Sequence, residues 1–196
     1  VADYVHFENI DLNGRLTVGR GAMVILEKNV TLVSDPTRTT STGDTAIYAA
    51  EGGFVKLGRN IDIEGSVIVQ EANLNMYGDG INVSSMIVVS GGSLGATSVF
   101  VPGVGNIPAG LTTPIFVATK GAVVHLRNGE FNLDYLGVRG GTVTINSATA
   151  SPISSLETGG IWVNSGGTLT LSLASFVMND KSEAFLNGTI SLWDNS

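Results

Sequence analysis

A chain of 196 residues is long enough for one domain with a sizeable core, and its formal net charge of −7 sets it against nucleic acid or an anionic membrane surface as partner. Charged residues make up only 14% of the chain while glycine contributes 26, a composition of tight corners rather than of surface helices. No cysteine is present, which removes disulfides, thiolate chemistry and Cys-based zinc sites, and no apolar run reaches the roughly 20 residues of a membrane-spanning helix.

Residues 1–15, where Val5, Phe7, Ile10 and Leu12 are spaced among acids, read as a cap or an incomplete first unit. The chain opens on Val1 rather than Met, which reads as a mature product or a piece excised from something longer. From Leu16 a repeat is legible. Gly21 to Leu32 aligns with Gly52 to Ile63, so that Val24, Leu26, Val30 and Leu32 fall on Val55, Leu57, Ile61 and Ile63. The residues between, from about 34 to 45, are rich in Thr, Ser and Gly and read as an excursion loop. From Ala46 onward the period settles near twenty. Ile47, Val67 and Ile87 align, as do Ala49, Val69 and Val89, and a third column is expected from Ile61, Ile81 and Val101.

Each unit thus has a first apolar run, a small-residue corner, a second run, a polar corner and a third run. Such a period predicts coils of a parallel β-helix, in which no coil buries its apolar face alone and stacking builds one core. Leu74 and Met76 fit their column only after a one-residue slip, read as a bulge or a longer corner. A second excursion is expected over 102–113, followed by a unit from Pro114, a weak one near 142–160 and a clear one from Ile161. The expected fold is all-β: a parallel β-helix of about seven to eight coils over 16–196.

The unit Ala46–Gly65, with its repeats, resembles coils of the right-handed parallel β-helix class that includes pectate-lyase-like enzymes, phage tailspikes and tail fibres, and autotransporter passenger domains. The resemblance concerns period and patterning, and it implies that the β-helix is right-handed and single-stranded. It brings no catalytic motif and no site residue with it.

Outward positions of the third runs carry the candidate ligand-binding residues: Asp62, Glu64, Asn82, Ser84, Asn132 and Asp134, with Tyr135 alongside. Carboxylates, amides and an aromatic ring suit a hydroxyl-rich ligand, although the same residues serve equally as the solvated face of any sheet. Asp62 and Glu64, two apart on a strand, stand about 6.5–7 Å apart, a separation compatible with an inverting glycosidase. Asn29 and Asn60 share a corner and suit either a stacked amide ladder or left-handed turns; Arg59 and Asp79 suit an ion pair between coils. His6 and His125 have no metal-ligand spacing to another ligand, and no metal or cofactor is expected. The first runs are apolar on both faces, and alternation from their neighbours predicts an outward ridge of Ile68, Val88, Phe116 and Trp162, an interface candidate.

Taken with the resemblance, these features lead to the expectation of a non-catalytic extracellular or virion-surface domain of a phage tailspike or tail fibre. The resemblance to tail proteins and the apolar ridge imply a homotrimer that presents a surface for a cell-surface polysaccharide or receptor, with no membrane insertion. The alternatives are a bacterial autotransporter adhesin or stalk fragment and a polysaccharide lyase or hydrolase of the same fold.

Overall fold

The computed structural model describes residues 4–34, 39–40, 43–146, 155–172 and 175–193. Among these the chain is all strand and turn with no helix. Its main sheet is a long parallel one, compatible with a parallel β-helix or solenoid.

Successive repeats lie side by side in register, and the register explains the apolar pattern. In the first runs Leu16, Ile47, Val67, Ile87, Phe116, Leu136 and Ile161 form one column. In the second runs Val24, Val55, Leu74, Leu94, Val124, Val143 and Leu169 form another. In the third runs Val30, Ile61, Ile81, Leu111, Phe131 and Leu156 align. With the exception of the half-buried Leu16, every member of these columns is buried. Each contributes about 1.5–3 kcal/mol relative to exposure. The strand Tyr4–Asn13 pairs along its length with Met23–Val33, placing Phe7 over Leu26 and Leu12 over Leu32.

Two expectations about the third runs change. The partner of Ile81 is Leu111, not Val101. Val101 belongs to an antiparallel hairpin, Val99–Val101 with Gly105–Ile107, that stands outside the repeat. The stretch 102–113 is therefore only partly an excursion. The strand Ala109–Thr119 starts inside it and buries Ala109, Leu111 and Thr113. In the earlier excursion, 34–45, Thr39–Thr40 pairs antiparallel with the start of Gly43–Ala50, while 35–38 and 41–42 lie outside the described residues.

Corners come in two lengths, and this is what shifts the sequence register. Between first and second runs the chain turns through Glu51-Gly52-Gly53 in one repeat and through Glu71-Ala72 in the next, so Ala50 pairs with Gln70 but Phe54 with Asn73. The slip at Leu74 is a corner one residue shorter, not longer. Glu51 and Glu71 both take positive φ, 49° and 50°, which lets the chain turn within two or three residues. Between third and first runs the count also varies. Glu64, Gly65 and Ser66 separate buried Ile63 from buried Val67, whereas only Pro114 and Ile115 separate Thr113 from Phe116. Two of the shorter corners are fastened by a buried threonine: Thr113 Oγ1 donates to the Ile115 carbonyl at 3.3 Å and Thr158 Oγ1 to that of Gly160 at 3.0 Å.

Asn9, Asn29 and Asn60 occupy the corner before the third run, each with φ near 50° (53°, 50° and 53°). Asn29 Nδ2 donates to Asn9 Oδ1 at 2.7 Å and Asn60 Nδ2 to Asn29 Oδ1 at 3.1 Å, so the amide ladder and the left-handed turn occur together. The ladder stops at Gly80, where a Cβ would lie 2.9 Å from Asn60 Oδ1. Arg59 and Asp79 form no ion pair; the stem of Arg59 lies against Gly78 instead.

Candidate functional site

Stacking turns each outward position into a column. On the third-run face one column reads Asp11, Thr31, Asp62, Asn82, Thr112, Asn132, Glu157 and Val177. Asp62, Asn82, Thr112, Asn132 and Glu157 are exposed. Asn82 Nδ2 donates to Asp62 Oδ1 at 2.9 Å, which fixes the amide so that its oxygen is turned to other donors.

Beside this column the corner positions that carry Asn in earlier repeats become Gly80 and Gly110. Without side chains they leave a hollow of about 360 Å³, walled by Asn82, Thr112, Glu130, Asn132 and Glu157. A second hollow of about 460 Å³ continues along the same face past Asp62, Glu64 and Ser84, and shares Asn82 and Thr112 with the first. Together they form an open trough whose walls alternate amide, hydroxyl and carboxylate. Such walls meet vicinal hydroxyls with both donors and acceptors.

The predicted ligand-binding residues divide over this geometry. Asp62, Glu64, Asn82, Ser84 and Asn132 line the trough. Ser84 Oγ is already committed, accepting from the Gly65 amide at 2.9 Å across the corner. Asp134 is exposed but lines neither hollow. Tyr135 belongs to the next face: it pairs with Ile115, its ring lies over Gly137, and its hydroxyl is 3.4 Å from an Arg139 donor nitrogen. Thr112, Glu130 and Glu157 were missed. Aligning Leu111 with Ile81 and Phe131 would have exposed the first. The third sits beside Leu156 and Thr158, where the apolar pair is broken by a threonine.

No family model, no curated protein and no solved structure matches this chain. Its chemistry rests on its own residues.

The first-run face corrects the predicted ridge. Ile68 and Val88 are in register and half-buried on the outer side, and Trp162 is 39% exposed. Phe116, however, is 0% exposed and sits in the core column between Ile87 and Leu136. The outward member at that level is Val117, paired with Val88. The column continues to Gly137, where the Tyr135 ring fills the missing side chain, and then to Trp162 and Phe185, whose rings stack at 4.6 Å. Met86 and Ile115 form a parallel apolar column leading to Tyr135. The result is a strip of apolar and aromatic side chains along one outer face, unbroken from Ile68 to Phe185. Gln70 and Arg139 stand at its margin, with Gln70 accepting from the Tyr48 hydroxyl at 2.9 Å.

Proposed function

We propose that this chain is a right-handed, single-stranded parallel β-helix of seven to eight coils that works without catalysis, as an extracellular or virion-surface domain of the tailspike or tail-fibre kind. Its third-run face would hold a cell-surface polysaccharide, and its first-run strip would join three copies. The observation that carries the reading is the trough at Gly80 and Gly110, with the Asp62–Asn82–Thr112–Asn132–Glu157 column along it. Repeating polar side chains at the strand spacing of about 4.8 Å suit a ligand that is itself a polymer. The trough is open along its length, which favours binding over chemistry that depends on excluding water.

A screen of bacterial surface polysaccharides tests the reading. Binding by the parent chain, weakened about tenfold or more in Asn82→Ala with Asn132→Ala while strand signal is kept, is the expected outcome. No binding to any of them contradicts it. Turnover of a polysaccharide, abolished by Glu64→Gln or Glu130→Gln, would move the chain to the lyase or hydrolase reading. The autotransporter stalk differs in assembly, and the apolar strip favours the trimer over that monomeric form.

A further inference from the structure

The second-run face carries a separate hollow of about 510 Å³. Lys56, Asn75, Gly95 and His125 stand in one column across four successive repeats, because each pairs with the next. Gly95 makes the space. It leaves a gap between the Asn75 and His125 side chains, and a Cβ there would lie 3.1 Å from Asn75 Oδ1. Tyr77, Thr97 and Arg127 border the gap from the neighbouring positions.

The charge of this lining is opposite to that of the chain. Lys56 and Arg127 line it and no Asp or Glu does, although the formal net charge is −7. Lys56 Nζ is held 4.2 Å above the Tyr77 ring, and the Tyr77 hydroxyl is anchored by donating to Glu27 at 2.7 Å. Among the described residues the carboxylates beside a basic side chain are Glu27, next to His6, and Glu51, paired with Arg20, so neither Lys56 nor Arg127 has a carboxylate partner. The Nδ1 atom of His125 is enclosed and makes no hydrogen bond, which leaves Nε2 as the ring nitrogen for a ligand.

We propose that this hollow binds an acidic sugar unit, its carboxylate or sulfate ester set between Lys56 and Arg127 and its hydroxyls against Asn75, Thr97 and His125. A guanidinium fork matches the paired oxygens of either anion, and the ammonium adds a second charge-assisted bond. The site is on a different face from the Asn82 trough and does not rest on the reading of that trough.

The test is titration of the intact chain with sodium glucuronate, glucose 6-sulfate and glucose, followed by NMR at the Gly95 amide and the His125 ring. Glucuronate or the sulfate ester should shift both signals saturably, the stronger of the two identifying the anion, with a response that weakens as salt is added. Glucose should not. Lys56→Gln with Arg127→Gln should weaken the response at least about tenfold, and Gly95→Val should remove it by filling the gap. Asn82→Ala with Asn132→Ala should leave it unchanged. Silence toward both acidic sugars, an equal response to glucose, survival in the Lys56/Arg127 variant, or loss in the Asn82/Asn132 variant each overturns the proposal.

Discussion

Replacing Phe116 by Ala tests the inward and outward assignment of the first runs at the residue where alternation misleads. Phe116 is fully enclosed between Ile87 and Leu136 of the adjoining repeats, so truncation removes a large side chain from a packed column and leaves a cavity. The expected loss is about 3–5 kcal/mol. Against a total stability of about 5–15 kcal/mol, that loss is large enough to unfold a marginal domain. Val117→Ala, one residue on, trims a half-buried outer side chain and should cost about 1 kcal/mol or less. Urea denaturation followed by circular dichroism reads both midpoints. If Val117→Ala proved more damaging than Phe116→Ala, the parity of the strand would be inverted and the apolar strip would lose its central member.

Three further outcomes follow from other contacts. Gly58→Ala should destabilise by several kcal/mol, comparable to a core truncation, because its Cβ would collide with the backbone carbonyl of Glu27, which cannot swing aside as a side chain can, and denaturant midpoints would reveal it. Asn29→Ala should cost roughly 1–2 kcal/mol in a melting experiment, since it forces Ala to a φ of 50° and removes both of that residue's ladder bonds, whereas Asn29→Gly should recover the backbone part. Tyr77 is raised well above its ordinary 10.0, first by burial and then by the bond to Glu27 and its charge. A folded-state value above the unfolded one means the contribution is complete below about pH 10 and is lost as pH rises towards the folded value. Wild type should therefore lose stability in that alkaline window faster than Tyr77→Phe, and parallel curves would contradict the assignment.

The repeat itself was legible because stacked coils demand like residues at like positions. The columns through Ile47, Val67 and Ile87 and through Val30 and Ile61 need only an apolar side chain at a fixed period. Corner length was not legible. Glu71-Ala72 and Glu51-Gly52-Gly53 turn the chain equally well, and no single residue type declares which is used. Taking Ile115 and Val117 as the inward pair of the first run places Phe116 outside, whereas only two residues separate Phe116 from buried Thr113 and turn it into the core. Leu111 was hidden for a related reason. The Val99–Ile107 hairpin interrupts the third run with an apolar Val101 that satisfies the period without joining the core. The trough residues Asp62 and Asn82 were accessible to simple alternation, but Thr112 depended on the Leu111 register, and Glu157 stands where Thr158 breaks the apolar pair.

Amide shift mapping during titration with bacterial surface polysaccharide fragments tests most directly the proposal that the trough on the Asn82 face takes a polysaccharide. Shifts should concentrate at Gly80, Asn82, Gly110, Thr112 and Asn132 and saturate together. Shifts confined to the first-run or second-run faces, or none with any fragment, would contradict it.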